Sequence, residues 1–195
     1  MPTNINFDKK LGISGGTNIT LPSGSTWTDS NSFLFDGIVD YIDCGDLSAY
    51  DTGDFSCSVW VYKTTSNDIE RIISNSGSSS RAGFDIVMDK YENINVSRNT
   101  RTADASSGYT AIGFTINTWH HVVATYKDST KTLKIYLDGV LRDTTIGTTS
   151  TNSASIPLSI GCYGSGVSAF FTGNIDEVSI FNTELSAIDV ATIYN

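Results

Sequence analysis

Two adjacent carboxylates near the C-terminal end of the chain are the first candidates for chemistry. Asp176 and Glu177 lie within GNIDEVSIFN (residues 173–182), whose apolar residues otherwise predict a buried strand. A glycosidase needs two carboxyl groups on one face, about 5–5.5 Å apart in retaining enzymes and about 6.5–9.5 Å apart in inverting enzymes. Successive strand residues point to opposite faces of a sheet, so these two carboxylates diverge and cannot act together on one sugar.

The histidine pair His120-His121, within NTWHHVVATY (residues 117–126), is the second candidate. A Ser-His-Asp triad would need one of these rings oriented by a carboxylate and placed beside an activated serine. We interpret both histidines as structural residues of a strand. Trp60 and Trp119 stand in strands of the same character, and we interpret them as core residues rather than as ligand platforms.

Composition restricts the classes of partner. The 195 residues carry a formal net charge of −9, and the sequence pI is about 4.4. A negative field repels phosphate backbones, so the composition argues against nucleic-acid binding and suits a protein that recruits cations. No run of about 18 apolar residues occurs, which predicts no membrane insertion. Residues 1–10 (MPTNINFDKK) lack the apolar core of a secretory signal, so we expect a removed signal, or release by lysis or within a particle.

Three cysteines, Cys44, Cys57 and Cys162, are a poor disulfide framework because the set is sparse and odd in number. Cys57 shares its phase with Phe55 and Val59 in FSCSVWV, which predicts a small buried apolar residue. A bridge between Cys44 and Cys57 remains open on the sequence alone. No Cys or His spacing is typical of a zinc site.

Short β-rich segments bounded by Gly, Asn, Asp or Ser follow one another along nearly the whole chain. Residues 133–137 (LKIYL) show the period-two alternation of a half-buried strand, and Asp138-Gly139 then supplies the dipeptide of a type I′ hairpin. Many antiparallel strands with such turns predict an all-β, two-sheet antiparallel jelly-roll sandwich. The predicted strands are 18–21, 33–35, 39–43, 55–62, 71–74, 84–88, 93–97, 110–114, 119–126, 133–137, 141–145, 158–160 and 170–181.

The two ends of the chain depart from this pattern. Residues 1–30 are rich in Gly, Ser, Thr and Asn, and we predict an N-terminal extension or an extra edge strand. Residues 185–195 predict one short helix, because Ser186 can cap its first turn and Asp189 stands near its positive end.

From about residue 33 onward, the order of motifs resembles a LamG-like (laminin G/pentraxin-type) domain of the concanavalin A-like lectin/glucanase superfamily. The segments that carry the resemblance are FLFDGIVDYIDCGDL, FSCSVWVY, NTWHHVVATYKDSTKTLKIYLDGVLRDT, LSIG and FTGNIDEVSIFNTELSAIDVATIYN. The resemblance implies one domain over residues 31–195, built from two stacked antiparallel sheets and often holding calcium. Jelly-roll glucanases carry an E-x-D-x-x-E strand, which this sequence lacks, so we predict a non-catalytic domain.

Within this resemblance, the aspartates of F-D-G and I-D-E-V are candidates for a shared calcium site. They are Asp36 and Asp176, with the carbonyl of Gly37 beside them. Calcium takes roughly six to eight oxygen ligands at about 2.3–2.6 Å. Asp176 shares its phase with Val178 and Ile180, so we expect it toward the buried side, where a carboxylate needs a cation or several donors. The alternative is that Asp36 only shapes its turn and that Asp176 accepts backbone N–H bonds.

Long polar loops supply the candidate ligand contacts, because aromatic faces combined with planar polar groups suit sugar recognition. The candidates are Tyr91, Arg98, Arg101, Tyr109, Tyr163 and Phe170. We therefore predict a lectin-like, carbohydrate-binding module on a cell or virion surface, with a structural calcium ion and a glycan or surface polysaccharide as its partner. The alternatives are a structural or adhesion domain that binds protein, itself or a phage particle, and a glycan-processing enzyme.

Overall fold

The computed structural model describes residues 32–46, 52–66, 68–76, 83–99, 105–106, 110–147, 157–164 and 166–195. Within these ranges the chain forms twelve β-strands and one α-helix. In chain order they are β1 (Phe33–Asp36), β2 (Ile42–Asp43), β3 (Phe55–Lys63), β4 (Glu70–Ser74), β5 (Gly83–Met88), β6 (Ile94–Asn99), β7 (Ala105–Ser106), β8 (Trp119–Lys127), β9 (Thr132–Leu137), β10 (Val140–Ile146), β11 (Ser159–Ile160), β12 (Thr172–Phe181) and α1 (Ala187–Tyr194).

The strands of the described ranges form two six-stranded antiparallel sheets. The first sheet has the order β1-β12-β3-β8-β9-β10, and the second sheet has the order β2-β11-β4-β5-β6-β7. One apolar core contains side chains from both sheets, among them Cys57 and Val61 of β3 and Ile73 and Ile86 of the second sheet. The predicted all-β, two-sheet sandwich is confirmed.

In the second sheet, alternation along each strand decides which residues face the apolar core. One row across its strands is apolar and belongs to the core: Ile42, Ile160, Ile73, Ile86 and Val96. The next row faces the opposite side and is polar: Asp43, Ser159, Ser74, Asp85 and Ser97. Directly opposed residues of antiparallel strands share a face. The period-two pattern of each strand therefore gives the sheet one apolar face toward the core and one polar face away from it.

A buried ion pair joins the two sheets. Lys63 of β3 and Glu70 of β4 form a salt bridge, and their side chains are 0% and 1% exposed. Burial lowers the pKa of Lys63 to about 8, while the nearby Glu92 and Asp89 act in the opposite direction. Removing one partner would leave an uncompensated charge in the interior, which costs about 3–5 kcal/mol.

Strand β12 contains a bulge that changes the predicted phase of its residues. Its register against β3 shifts after Asp176, and Glu177 has a φ of 46°. Ile175 and Val178 are both buried although they stand three positions apart. Asp176 therefore lies on the outer face of the sheet, and its predicted phase with Val178 and Ile180 is wrong because the extra residue interrupts the alternation.

The C-terminal helix α1 begins where the sequence predicts. Asp189 N donates to Ser186 Oγ at 3.2 Å, and Ser186 N donates to Asp189 Oδ2 at 2.8 Å, which completes a capping box. Val190 packs with Val123 and Tyr136 on the outer face of the first sheet. The helix therefore covers the part of that face formed by β8 and β9.

Two further turn and strand predictions have different outcomes. Asp138 and Gly139 have φ values of 52° and 74°, so the predicted type I′ hairpin between β9 and β10 is confirmed. The predicted strand 110–114 is wrong, because only Thr110 forms a bridge, to Ile94, and the residues that follow are irregular.

The remaining sequence predictions concern the cysteines, the N-terminal segment and membrane insertion. Cys44, Cys57 and Cys162 are free and buried, so the bridge left open between Cys44 and Cys57 does not form. The predicted strand 18–21 and the extension over residues 1–30 lie outside the described residues, and the proposed domain division stays a prediction. Among the described residues, no helix combines the length and the apolar character needed to span a bilayer.

Gly173 of β12 is expected to tolerate no side chain. A Cβ there would lie 2.1 Å from the carbonyl oxygen of Tyr62, and the φ of 137° disfavours other residues. We expect Gly173→Ala to lower the free energy of unfolding by about 2–4 kcal/mol, measured by urea denaturation.

The matched control is Gly53→Ala, where φ is 82° but no atom lies within 4 Å of an added Cβ. Only the backbone strain of about 1–2 kcal/mol applies there. Equal losses in the two variants would contradict the close approach of β12 to β3.

Candidate functional site

The outer face of the first sheet carries a row of side chains on four neighbouring strands. Leu34 of β1 is opposite Asn174 of β12, and Asn174 is opposite Tyr62 of β3. Tyr62 is in turn opposite Trp119 of β8, with 5.6 Å between the ring centroids. Leu34 and Trp119 are 40% and 38% exposed. The row is therefore an accessible surface that is largely apolar and contains one amide.

A second row runs beside the first, two residues further along each strand. Asp176 is opposite Trp60, and Trp60 is opposite His121. Tyr194 of α1 stacks on Trp60 with 5.7 Å between ring centroids and on His121 with 5.8 Å. Tyr194 is 36% exposed, so α1 supplies the edge of an open surface. We refer to four residues together as the aromatic strip: Trp60, Tyr62, Trp119 and Tyr194.

Hydrogen bonds beneath the strip hold β8 in position. His121 Nε2 lies 2.7 Å from Ser58 Oγ, and His121 N donates to Asp138 Oδ1 at 2.9 Å. Asp138 Oδ2 lies 2.8 Å from His120 Nδ1, and Thr115 N donates to His120 Nε2 at 3.2 Å. Because Nε2 of His120 accepts a backbone N–H bond, the neutral ring carries its proton on Nδ1 and donates it to Asp138. Both histidines thus have contacts that suit a structural role.

His120 contacts Asp138 and, at 2.9 Å from its Nε2, Thr115 Oγ1, whereas His121 lacks the carboxylate of a Ser-His-Asp triad among the described residues. Nδ1 of His121 has no hydrogen-bond partner among them, so no carboxylate orients the ring that faces Ser58. Glu70 is buried against Lys63 and faces the interior. The region instead combines partly exposed rings with an amide and a carboxylate, which is the composition of a binding surface.

Asp36 shapes the turn that follows β1. Its Oδ1 accepts N–H bonds from Ile38 at 2.8 Å, Val39 at 3.1 Å and Asp40 at 3.3 Å. Burial acts to raise the pKa of Asp36, but these backbone donors outweigh burial and the pKa is lowered. Asp36 therefore has the turn-forming contacts of the alternative that the sequence left open.

The predicted calcium site of Asp36, Gly37 and Asp176 is not assembled. Asp36 is opposite Thr172, four residues before Asp176 on β12, which corresponds to about 13 Å along the strand. Two ligands of one calcium ion lie within about 5 Å of each other, so the two carboxylates cannot share an ion, and their predicted pairing is wrong. Across the described residues, no group of three or more His, Cys, Asp or Glu side chains could hold a metal ion.

Three of the predicted ligand residues are accessible around the second sheet. Tyr91 is 69% exposed in the turn between β5 and β6. The Arg71 guanidinium lies over the ring of Tyr163, 4.9 Å from its centroid. Phe170 is half-buried shortly before β12. A ligand contact by these three residues stays a prediction.

Of the remaining three predicted ligand residues, one is buried and two lie outside the described ranges. Arg98 is 1% exposed, and its guanidinium lies 4.9 Å from the centroid of the Phe55 ring in the interior. The predicted contact between Arg98 and a surface ligand is therefore wrong, because the cation is held inside against aromatic rings. Arg101 and Tyr109 lie outside the described residues.

The rings of the strip were missed as surface residues by the sequence interpretation. Trp60 and Tyr62 alternate with the core residues Val59 and Val61, and this alternation requires them to face away from the core. Trp119 is 38% exposed at the start of β8. The interpretation of the two tryptophans as core residues is therefore wrong, and the period-two signal that contradicts it was present in FSCSVWVY.

Comparison with known proteins agrees with this fold. The family model described as the concanavalin A-like lectin/glucanases superfamily, of laminin G type, matches residues 36–191. The comparison with curated proteins found no match.

Several solved structures share the fold at low sequence identity. The receptor-binding domain of botulinum neurotoxin C/D mosaic serotype has a TM-score of 0.76 at 17% identity, over 98% of this chain and 50% of that one. A botulinum neurotoxin type C structure, described by a cell entry that depends on two ganglioside molecules, has a TM-score of 0.67 at 18% identity, over 92% and 46%. The serotype D ligand-binding domain in complex with N-acetylneuraminic acid has a TM-score of 0.69 at 17% identity, over 91% and 45%. The chain spans about half the length of these structures, and the likeness shows the fold alone.

The buried His121 is expected to make the stability of the domain depend on pH. Burial lowers the pKa of His121 to about 4, against a weaker opposing effect of Asp138, whereas an unfolded histidine has a pKa of about 6.5. Between these values the unfolded chain binds a proton that the folded chain excludes. The free energy of unfolding should therefore fall by about 3 kcal/mol as the pH falls from about 6.5 to about 4.

Urea denaturation at a series of pH values, for the wild type and for His121→Gln, measures this effect. Between a pH of about 6.5 and about 4, the free energy of unfolding should change less steeply with pH in the variant than in the wild type. Asp36 and Asp54 have lowered pKa values, so their stabilising contributions are lost mainly below that window. Equal slopes for wild type and variant within the window would contradict the assignment to His121.

Proposed function

The chain belongs to the concanavalin A-like lectin/glucanase superfamily, and we propose that it is a non-catalytic module that binds glycans through the aromatic strip. The observation that carries the proposal is the strip itself, on the outer face of the first sheet. Trp60, Tyr62 and Trp119 stand there beside the polar side chains of Asn174 and Asp176.

The chemistry of the strip suits a sugar. A pyranose presents an apolar face of C–H groups and a rim of hydroxyl groups, so it needs a flat apolar partner together with hydrogen-bonding groups at the edge. Aromatic rings supply the first, and an amide or carboxylate supplies the second. Asn174 is already oriented, because its Nδ2 donates to Ser32 Oγ at 3.1 Å.

The rings are also held in place before any ligand arrives. Trp60 contacts His121 at 5.0 Å and Tyr194 at 5.7 Å, and His121 and Tyr194 are 5.8 Å apart, all measured between ring centroids. His121 is itself fixed by its contact with Ser58. Binding to a preorganised surface loses less conformational entropy than binding to mobile side chains, which raises affinity for a given contact area.

The known neighbours support a glycan partner of this kind. One of them is described as a complex with N-acetylneuraminic acid and another by an interaction with gangliosides. The proposed location is an extracellular or virion surface, where a partner glycan of a cell or particle surface is accessible. No catalytic step belongs to the proposal, because the strip contains ligand-binding groups without an oriented nucleophile.

A printed glycan array tests the proposal with three forms of the protein. The wild type should bind a subset of glycans, and Trp119→Ala should bind the same subset at least tenfold more weakly, a loss of about 1.4 kcal/mol or more. Ile146→Ala serves as the matched control, because it shortens an apolar side chain that is 72% exposed on β10, away from the strip. Melting temperatures of both variants confirm that each is folded.

Two results would count against the strip. Binding that is unchanged in Trp119→Ala but lost in Tyr91→Ala would assign the glycan to the loops of the second sheet instead. A wild type that binds no glycan and sediments as a dimer would favour the alternative function, an adhesion or structural domain. That alternative has a specific surface, because β10 is an edge strand on which Val140, Leu141 and Ile146 are 52%, 47% and 72% exposed.

Calcium binding stays a prediction, but with Asp36 and Gly37 as its ligands and without Asp176. The described geometry leaves Asp36 and the Gly37 carbonyl as the ligands that the family resemblance implies, and it separates Asp176 from them. Adding calcium after EDTA is expected to raise the melting temperature, because an ion that binds only the folded state at a hundredfold excess over Kd stabilises it by about 2.7 kcal/mol.

The matched pair Asp36→Asn and Asp176→Asn locates the ion in that experiment. The shift should disappear in Asp36→Asn and remain in Asp176→Asn. A wild type whose melting temperature does not respond to calcium, or a shift that depends on Asp176 alone, would contradict the prediction.

A further inference from the structure

We propose that the outer face of the first sheet binds an internal stretch of about three sugar units in an extended, β-1,4-linked polysaccharide, which lies across the strands. This inference rests on the proposed function and names the class of its ligand. It follows from the length of one row of side chains on that face, from the accessibility of its two ends and from the polar groups on both of its sides.

The length of the contact is set by Leu34, Asn174, Tyr62 and Trp119, which we call the cross-strand row. Its members stand on neighbouring strands in the order β1-β12-β3-β8. Neighbouring strands lie about 4.8 Å apart, so the row is about 14 Å long. A pyranose built from single bonds of about 1.5 Å repeats at about 5 Å in an extended chain. The row therefore has the length of about three consecutive sugar units.

Both ends of the cross-strand row are accessible. Leu34 at the β1 end is 40% exposed, and Trp119 at the β8 end is 38% exposed. A pocket for a terminal sugar would enclose its ligand. This row instead lets a chain enter at β1 and leave at β8, so its shape favours the interior of a polysaccharide over a chain end.

Polar groups flank the cross-strand row on both sides. On the side of α1, Asp176 stands opposite Trp60 on the same outer face. On the other side, Asp36 is opposite Thr172, and both stand two positions along their strands from the row, at about 7 Å. A sugar ring that rests on the row has hydroxyl groups at its rim that point toward both sides. Carboxylate oxygens accept hydrogen bonds from such groups, and a threonine hydroxyl can donate or accept them.

The two rings of the cross-strand row also restrict the shape of the chain. The ring centroids of Tyr62 and Trp119 lie 5.6 Å apart, and the ring planes are tilted by 51°. Neighbouring sugars can contact both rings if the chain is extended and rotates at the linkage between them. A β-1,4 linkage of glucose joins equatorial positions at opposite ends of the ring, so it keeps the chain extended, and its torsions allow this rotation. An α-1,4 linkage winds the chain into a helix, whose successive rings leave a straight row.

Calorimetric titration of the wild type with oligosaccharides of increasing length tests the inference. The probes are β-1,4-linked oligomers of glucose and of N-acetylglucosamine, from one to about six units. In at least one series, Kd should fall by about tenfold or more up to about three units, because each added sugar contacts a further part of the row, and should then level off. The α-1,4-linked glucose oligomers of equal length should bind at least about tenfold more weakly than the recognised series.

Leu34→Ala tests whether the contact extends to the β1 end of the row. This variant should weaken the binding of oligomers of three or more units by about threefold, because it removes apolar surface that the third sugar contacts. Binding of the two-unit oligomer should not change, because two units occupy the end formed by Tyr62 and Trp119. Ile146→Ala is the matched control, since it shortens an exposed apolar side chain on β10, outside the row, and it should bind every length as the wild type does. Melting temperatures of both variants confirm that each is folded.

The outcomes separate this inference from the proposed function. Glycan binding that is lost in Trp119→Ala but is independent of chain length, or that is confined to glycans other than these two series, would overturn the inference and leave the strip as a glycan site. An equal effect of Leu34→Ala at every length would also overturn the inference. Absence of glycan binding, or binding that Trp119→Ala leaves unchanged, would overturn the proposed function and the inference with it.

Discussion

The place of β12 between β1 and β3 is the constraint on which the rest of the structure depends. This strand pairs with both neighbours, and Gly173 lets it approach the Tyr62 carbonyl more closely than any side chain would allow. The bulge after Asp176 then keeps Val178 and Ile180 in the core while Asp176 faces outward. In a regular strand without the bulge, Glu177 would face the core and Val178 would face outward, so a carboxylate would enter an apolar interior where its desolvation has no compensation. The bulge therefore serves the core and the polar edge of the strip at once.

Local rules predicted most of the elements and failed where long-range packing decides. The Asp138-Gly139 turn, the Ser186 cap and the alternation in β9 are local signals, and each is confirmed. The bulge in β12 leaves no such signal, since its residue types also suit a regular strand. The outward phase of Asp176 therefore could not be read from the sequence. The pairing of Asp36 with Thr172 depends on two strands that are distant along the chain, so no local pattern could exclude the expected shared metal site.

Burial of charged residues was the second limit. Arg98 stands in a polar segment, which predicts a surface residue, but its guanidinium packs on Phe55 inside the sandwich. Lys63 likewise points inward, to Glu70. Such inward charges depend on partners from distant strands, which no local pattern reveals. Trp60 and Tyr62 differ from these buried charges, because a local pattern predicts their position. Their alternation with the core residues Val59 and Val61 is sufficient to place them on the outer face of the sheet. Their apolar character alone predicts burial in the core, which conflicts with that signal.

Tyr194 is the one ring of the strip that does not come from a strand, and this has a thermodynamic consequence. Its position depends on α1, an eight-residue helix whose buried anchor on the sheet is Val190. Helices this short are marginal in isolation, so α1 persists because it is packed. A ligand that stacks on Tyr194 therefore binds only the helix-docked population, and each such contact adds to the stability of the docked helix. Binding of a ligand to the aromatic strip and docking of α1 on the sheet are therefore thermodynamically linked, so each favours the other.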